Sequence, residues 1–371
     1  MTGAMYAAIS GLKAHMEKLN VIGNNISNVN TYGYKAARTT FKESLYTTLT
    51  SGSNGTAAAG GVNPSQIGYG CSVGTIDLDM STKNYVPTGN ALDCMINGDG
   101  FFMVGGKPDA TTTDATSTLT ETDAKSLNLT RVGNFTFDSQ GYLVDGQGNV
   151  VYGFVTTSGN ATPGDLADED NPKVSTQLVP IRLPLASKTD GSAVYPGVGA
   201  ADADGNLMNV YDSGTGDSAL TEGKTVKLDS IAIDGETGKI TGVMESGEQV
   251  VVGYIAMAKV SNPNGVTHIS GPYYKAMEGA GDCEATSINN AVAEVCYASA
   301  NLNNKADGAD GAERVGSAGE TELITGGLES SGTDLATEIA EMITTQRGYQ
   351  ANTRIITVTD SMLEELVNMK R

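Results

Sequence analysis

The sequence predicts an α+β fold in which α-helices at the two ends of the chain pair in a coiled-coil-like domain and mainly antiparallel β domains lie between them. Apolar residues recur at helical spacing near both ends, and short apolar runs alternate with Asp- and Gly-rich turns in the middle. The acidic charge is also concentrated in that middle. Because the two ends pair, the domains between them are expected to be discontinuous in sequence.

The charge of the chain restricts its function. The 371 residues include 43 acidic and 23 basic side chains, which gives a net charge of −20 with both His neutral. This charge argues against a general nucleic-acid-binding protein, because phosphate contacts require clustered Lys and Arg. Residues 1–50 carry +3 and residues 331–371 carry −2, so the remaining residues carry −21. The nearly neutral ends therefore suit contacts, whereas the acidic middle stays hydrated and self-repelling.

The first predicted helix has an apolar stripe with a period of 3.5 residues, as in a coiled coil. The stripe consists of Met5, Ile9, Leu12, Met16, Leu19 and Ile26. So short a stripe more often packs on the core of its own domain, which is the alternative interpretation. The Asn- and Thr-rich residues 24–31 are expected to end the helix, and Gly33 to supply a left-handed turn.

The second predicted helix covers residues 333–371, which contain no Pro and one Gly, with Ser331 or Asp334 as cap. Its length of about 58 Å exceeds the diameter of a small domain. The β-branched residues 355–359 have low helix propensity, but strong helix formers flank them. A rod of this length cannot bury a broad apolar face in its own fold, so both helices are predicted to pack in a polymer of the chain. On this helix the predicted packing residues are Leu335, Ile339, Met342, Ile355, Met362, Leu363, Leu366 and Val367.

The middle of the chain is predicted to be β-structure. Residues 131–154 and 228–260 each have the pattern of a three-stranded meander with Asp and Gly at the turns, and residues 92–104 that of a hairpin. Three domains are expected. They are a helical assembly domain of residues 1–70 with 326–371, a first β domain of residues 71–153 with 226–325, and an inserted outer β domain of residues 154–225.

The sequence predicts no catalytic residues, no metal site and no cofactor. Gly223-Lys224-Thr225 resembles the end of a phosphate-binding loop, but Ser218 stands where that loop needs Gly. Two partial calcium-loop spacings, at residues 202–205 and 307–311, lack the distal Glu. No apolar run reaches the roughly 18 residues of a membrane span, and the first residues lack the pattern of a secretory signal.

Two cysteines, Cys283 and Cys296, flank a 12-residue segment rich in Asn and Ala. A disulfide between them and two free thiols are equally consistent with the sequence.

Several motifs at the two ends resemble the bacterial flagellar rod and hook family. They lie at residues 9–12, 21–35, 327–335, 341–352 and 363–368, and weaker similarity covers residues 92–104, 130–154 and 255–265. About two-thirds of the chain is covered. The motif residues are Asn24, Asn25, Asn28, Thr31, Gly33, Lys35, Gln346, Arg347, Gln350 and Asn352. Residues 280–318 depart from the family pattern and resemble an insertion.

Within that family, the length and the inserted segment resemble hook members, and a distal rod subunit is the alternative. The resemblance implies a non-enzymatic subunit of the curved tube that joins rod to filament. It also implies self-assembly into a helical homopolymer and contacts with rod, hook-cap and hook–filament junction proteins. Export would pass through the flagellar type III apparatus to the extracellular flagellum without a cleaved signal peptide. No nucleic acid partner and no membrane insertion are expected.

Two other classes of protein stay open on the residues alone. An extracellular polysaccharide hydrolase would need two carboxylates about 5–10 Å apart, and no feature of the sequence indicates such a pair. A monomeric adhesin or binding module would stay monomeric without its ends and lose nothing specific to assembly.

Overall fold

The computed structural model describes residues 2–54, 60–106, 126–155, 178–187, 193–194, 220–225, 227–245, 247, 249–288, 316–317 and 321–369. The chain divides into two units. The terminal unit comprises Met1–Asp79 with Ser331–Arg371, and the central unit comprises Met80–Ser330.

The terminal unit contains the two predicted helices. Helix α1 is Thr2–Ser27 and helix α2 is Leu335–Met369. Helix α1 ends within the Asn-rich segment, and Gly33 follows at φ 67° in the left-handed region. Asp334 caps α2, since its Oδ1 accepts a hydrogen bond from the backbone N–H of Ala336 at 3.1 Å. The β-branched run at residues 355–359 is helical, as expected from its flanking residues.

A β-ribbon, which the sequence analysis missed, completes the terminal unit. Its strands are β1 (Ala37–Glu43), β2 (Tyr46–Thr50), β3 (Ser65–Gly68) and β4 (Cys71–Leu78). Strand β1 pairs antiparallel with β4, and β2 pairs antiparallel with β3. Every residue of β2 and β3 is exposed. The β2–β3 end of the ribbon therefore has little packing of its own.

The central unit is built from short strands. They are β5 (Tyr85–Pro87), β6 (Cys94–Asn97), β7 (Phe101–Gly105), β8 (Asn128–Thr130), β9 (Thr136–Phe137), β10 (Leu143–Val144), β11 (Val150–Val155), β12 (Val179–Pro180), β13 (Leu185–Ser187), β14 (Ala193–Val194), β15 (Leu220–Thr225), β16 (Leu228–Ile233), β17 (Lys239–Met244), β18 (Gln249–Ile255), β19 (Met257–Val260), β20 (Thr267–His268), β21 (Tyr273–Lys275), β22 (Cys283–Ser287), β23 (Gly316–Ser317), β24 (Glu322–Thr325) and β25 (Gly327–Glu329). Two 3-10 turns, Pro263–Gly265 and Glu278–Ala280, follow β19 and β21.

The main sheet of the central unit has the order β16-β17-β18-β11-β7-β19-β22-β23. Strands β8, β9, β10, β12, β20 and β21 join it off this path. All of its pairings are antiparallel except that of β22 with β23. The α+β class with terminal helices and mainly antiparallel sheets is therefore confirmed.

The hydrophobic core of the central unit lies on this sheet. Strand β7 is buried along its whole length, and Phe102 meets Phe135 edge to face with ring centroids 5.1 Å apart. Ile96, Val151 and Ile240 are also fully buried in the same cluster. Aliphatic side chains and a few aromatic rings fill the core, as expected of a chain without Trp.

The two meanders are confirmed, with shorter strands at the first. Strands β9, β10 and β11 pair in sequence order, as do β16, β17 and β18. Asp138 shows how the turns form, because its Oδ1 accepts hydrogen bonds from the backbone N–H groups of Gln140 and Tyr142.

The hairpin predicted at residues 92–104 is wrong. Strand β6 pairs with β24 from the other end of the unit, whereas β7 pairs with β8, β11 and β19. Gly98 and Gly100 between them have φ values of 123° and 135°, and the chain passes from one sheet to another instead of folding back. An Asn-Gly turn signal identifies a change of direction but not the partner of each strand.

Most of the predicted inserted domain lies outside the described residues. Of residues 154–225, strand β12 pairs with β11 of the main sheet, while β13, β14 and β15 form a separate three-stranded sheet. The division into three domains stays a prediction.

Candidate assembly surface

The two helices of the terminal unit pack side by side in antiparallel orientation. Asn25 Nδ2 donates to Glu338 Oε1 at 2.8 Å, and Lys18 Nζ lies 2.9 Å from Glu341 Oε2. Further along, His15 lies beside Gly348, and Gly11 beside Asn352. Residue numbers along α2 therefore rise as those along α1 fall.

Gly11 and Gly348 lie at the contact between the two helices. A Cβ added to Gly11 would lie 2.8 Å from Asn352 Nδ2, and one added to Gly348 would lie 2.9 Å from the His15 ring. Both distances are shorter than carbon atoms tolerate, so each position accepts only Gly without movement of its neighbour. The two helices are therefore in close contact at these two positions.

The line of α1 residues that faces α2 lies one position before the predicted apolar stripe. Gly11, His15, Lys18 and Asn25 contact α2, and each directly precedes Leu12, Met16, Leu19 and Ile26 respectively. One helical residue corresponds to a rotation of about 100°. The apolar stripe is therefore turned away from the axis of the contact with α2.

Polar residues also form the contacting line of α2. Glu338, Thr345, Asn352 and Thr359 follow one another at seven-residue intervals, and Thr345 and Thr359 are the buried residues of the helix. A seven-residue interval keeps side chains on one side of paired helices. Apart from Ile22, which is 3% exposed on the same line of α1, the described seam consists of polar and small residues.

The predicted packing residues lie mostly outside this seam. Met5, Leu12, Leu19, Ile26 and Met342 are half-buried. The exposed ones are Ile9, Met16, Leu335, Ile339, Ile355, Met362, Leu363, Leu366 and Val367. We refer to these nine exposed side chains together as the apolar face of the helix pair. So many large apolar side chains left in water on two paired helices indicate contact with another molecule.

Asn25 joins the three elements of the terminal unit. Its side chain is 1% exposed, and its Nδ2 donates to Glu338 Oε1 and to the backbone carbonyl of Ala37, each at 2.8 Å. Its Oδ1 accepts from the Ala37 backbone N–H and from the Tyr34 hydroxyl, each at 3.0 Å. These bonds use the full capacity of the carboxamide. One side chain therefore fixes α1, α2 and the start of β1.

The other Asn-rich motif residues connect α1 to the segment before α2. Ser331 Oγ donates to the backbone carbonyl of Asn28 at 2.8 Å, and Thr333 Oγ1 to that of Asn25 at 3.1 Å. Thr31 Oγ1 donates to Asn28 Oδ1 at 3.2 Å, and Asn24 Nδ2 to the Tyr34 hydroxyl at 3.1 Å. The motif thus serves as a polar junction that positions the start of α2.

The remaining motif residues have different surroundings. Lys35 is 1% exposed, and Asn352 is half-buried in the seam. Gln346, Arg347 and Gln350 are exposed on α2. These three are therefore available for contacts beyond the described chain.

His15 lies in the seam without a hydrogen bond at its buried Nδ1. Its ring meets the ring of Phe41 on β1 edge to face, with the two centroids 5.6 Å apart. Lys18 Nζ lies 5.9 Å from the centroid of the Phe41 ring. Burial lowers the pKa of His15 below its usual value, and the charge of Lys18 lowers it further. Burial also raises the pKa of Glu338, although the hydrogen bond from Asn25 opposes this shift.

The described residues give no indication of a chemical site. They contain no group of three or more His, Cys, Asp or Glu placed to hold a metal ion. No described helix combines the length and apolarity needed to cross a membrane. Cys283 is buried at the start of β22, and Cys296 lies outside the described residues, so their disulfide stays a prediction.

Comparison with known proteins identifies the class of protein. A family model described as "Flagella basal body rod protein" matches residues 5–35, and one described as "Flagellar basal body rod FlgEFG protein C-terminal" matches residues 324–369. These two segments hold α1, α2 and the junction around Asn25. The fold and the matches together define an axial protein of the bacterial flagellum.

Full-length relatives agree with this assignment. The chain is 31% identical to the "Flagellar basal-body rod protein FlgG" of Bacillus subtilis, with all of both chains covered. It is 26% identical to the "Flagellar hook protein FlgE" of Borreliella burgdorferi over all of both chains. Identity with the "Flagellar hook protein FlgE" of Salmonella typhimurium is 27%, over 98% of this chain and 99% of the relative. The chain belongs to the flagellar rod and hook protein family.

Sequence reasoning missed the seam itself. Gly11 contacts α2, and Ala8 and Ala14 are buried on the same helix, but small residues contribute little to an apolar pattern. Their spacing within an otherwise amphipathic helix was the available signal for a close helix contact.

Replacing Asn25 with Ala should destabilise the terminal unit. Each buried group left without its partner costs about 1–3 kcal/mol, and here Glu338, Tyr34 and the Ala37 N–H lose one. Urea unfolding of the purified monomer, followed by the helical circular dichroism signal, measures the change. Asn20→Ala, at an exposed position of α1, serves as control and should change stability by less than about 0.5 kcal/mol. Equal effects of the two substitutions would contradict the role of Asn25.

Stability of the terminal unit should fall as the pH drops below about 6.5, the usual pKa of His. The pKa of His15 is lower in the folded state than in the unfolded state, so the unfolded chain binds the proton first as the pH falls. Protonation therefore stabilises the unfolded state relative to the folded state until the pH passes the pKa of the folded state. Glu338 acts with the opposite sign, since a raised folded pKa favours the folded state at lower pH. Melting curves of His15→Gln should lack the decline in stability, and those of His268→Gln should retain it. A decline that persists in His15→Gln would rule out this assignment.

Proposed function

We propose that this chain is a structural subunit of the flagellar hook and that it polymerises through the apolar face of its helix pair. The observation that supports this most strongly is the mismatch in helix length. Helix α2 has 35 residues and α1 has 26, so α2 is longer by about 13 Å. Its last residues include the exposed apolar side chains of Leu363, Leu366, Val367 and Met369, and copies of the chain are the partners that would cover them.

The free energy gained by burying apolar side chains can offset the free-energy cost of association. Each Leu, Ile or Met moved fully out of water contributes about 1.5–3 kcal/mol, while association costs about 4–15 kcal/mol in lost freedom of motion. The nine side chains of the apolar face are 37–70% exposed, so covering all of them would contribute about 6–13 kcal/mol, which is comparable with that cost. The acidic middle of the chain, in contrast, disfavours close contact between copies.

Membership of the rod and hook family supports further parts of the proposal, which concern partners, export and location. The partners of the chain would be further copies of itself within the polymer, and rod, hook-cap and hook–filament junction proteins at the ends of the polymer. The subunit would leave the cell unfolded through the flagellar export apparatus without a cleaved signal peptide and act in the extracellular flagellum. Its role would be mechanical and not catalytic.

A distal rod subunit is the second candidate, favoured by the identity with the FlgG relative. Hook relatives from three genera, which match this chain over 98–100% of its length, support the first. Electron micrographs of a strain that lacks this chain distinguish the two functions. A complete rod without a hook is expected for the hook subunit, and loss of the distal rod would favour the alternative.

Polymerisation should depend on apolar contacts near the end of α2. Leu366→Asp places a charge where an apolar contact is proposed, and burying an unpaired carboxylate costs several kcal/mol. We expect loss of polymers from the purified full-length chain, measured by sedimentation, with unchanged melting of the central unit.

Asn368→Asp is the matched control. It adds the same charge two residues further on, about 160° away around the helix, and position 368 is exposed. Polymers should form normally in this variant. Normal polymers in Leu366→Asp would contradict the proposed role of α2.

A further inference from the structure

The part of the ribbon formed by β2 and β3 has no charged side chain. Between Glu43 and Asp77 the sequence contains no Asp, Glu, Lys or Arg, in a chain with a net charge of −20. Leu45, Leu49 and Val62 are exposed to 73%, 60% and 59%. Two strands with both faces open are marginally stable in water, and open strand edges without charge favour association. This β2–β3 ribbon therefore has the properties of a surface that another molecule covers.

The rest of the ribbon fixes where this surface lies in the terminal unit. Moving along α1 from its C-terminal end, Ala37 bonds to Asn25 and Phe41 meets His15. A Cβ on Gly70 would lie 3.1 Å from the Cα of Ala7, and one on Gly3 would lie 3.3 Å from the Tyr69 ring. The ribbon thus runs beside α1 toward its N-terminal end, where β2 begins and β3 ends.

Helix α2 presents a second uncovered surface at the same end. Antiparallel pairing of Gly11 with Asn352 places Thr2 opposite about residue 361, by the equal rise of the two helices. Residues 362–369, which we call the α2 tail, extend beyond that point. Leu366 continues the seven-residue series after Thr359, but within the described chain no α1 residue lies opposite it. Val367 and Met369 are exposed to 70% and 82%.

The two surfaces match in size and character. The α2 tail is about 12 Å long and a five-residue strand such as β2 about 17 Å, so one ribbon spans the tail. Leu363 and Leu366 lie on one side of the tail, and helical geometry turns Glu364 and Glu365 to the other. An uncharged ribbon can cover the apolar side without burying a carboxylate.

We propose that the β2–β3 ribbon of one copy packs on the α2 tail of a second copy. Within one chain both surfaces stay exposed, so neither covers the other. A second copy is the partner because the apolar side of its α2 tail is exposed while the middle of its chain is strongly acidic, and an uncharged apolar ribbon gains most by covering an apolar side. Contact between two different surfaces of identical copies also repeats from copy to copy, which produces a ring or an open helical polymer. The inference rests on the proposed function and names the surfaces that meet.

Photo-crosslinking in polymers of the full-length chain tests this contact. The photoreactive residue p-benzoylphenylalanine replaces Leu49, polymers are grown and irradiated, and covalent dimers are digested with trypsin. We expect the ribbon to be joined to residues 355–370, which form one tryptic peptide between Arg354 and Lys370. The same replacement at Tyr46, which is aromatic already, provides a milder second probe.

Ile76 is the matched control position, since it is 54% exposed but lies on β4 beside α1. Dimers joined to residues 355–370 should be absent there. Adducts from positions 46 and 49 that map to another ribbon, to residues 80–330 or within the same chain would overturn the inference. Polymers in these experiments would leave the proposed function intact, whereas a full-length chain that never polymerises would refute that function itself.

Discussion

The close antiparallel packing of α1 on α2 is the constraint on which the rest of the terminal unit depends. Gly11 and Gly348 let the helices approach until polar side chains meet across the contact, and Asn25 fixes the pair to β1. Because mostly polar and small residues occupy this seam, nine of the fourteen predicted packing residues are exposed. A helix pair that buried its Leu, Ile and Met residues between its two helices would have a polar surface and no apolar surface to drive assembly. In the proposed function, the way the pair packs within one chain therefore favours polymer formation.

The distribution of charge has the complementary effect. The acidic residues that give the chain its net charge of −20 are concentrated between the helices, and residues 44–76 have no charge. We therefore expect copies of the chain to repel one another except at the apolar face and at the uncharged β2–β3 ribbon. Hydration of the acidic middle would keep the free subunit soluble while its apolar surfaces are still exposed, before assembly.

The sequence was sufficient for the helices and the meanders, and insufficient for the contacts between them. A period of 3.5 residues and the Asn-rich end located α1, and Asp334 with a Pro-free segment located α2. Periodicity does not say whether an apolar stripe faces a partner helix or another molecule, so the true seam, one residue away, was not found. Strand partners were equally hidden, since β6 finds β24 more than 200 residues along the chain. The ribbon lacked the alternation of polar and apolar residues by which strands are recognised.

The central claim is that sister molecules cover the apolar surfaces of the helix pair, and methionine oxidation measures this most directly. Met16 and Met362 are about half exposed in the free subunit and Met369 is more so. Thioethers react with peroxide according to their access to solvent. In purified monomers all three should convert readily to sulfoxides, and in polymers their conversion should be strongly slowed. Equal rates in both forms would show that these surfaces stay in water after assembly, and the account would be contradicted.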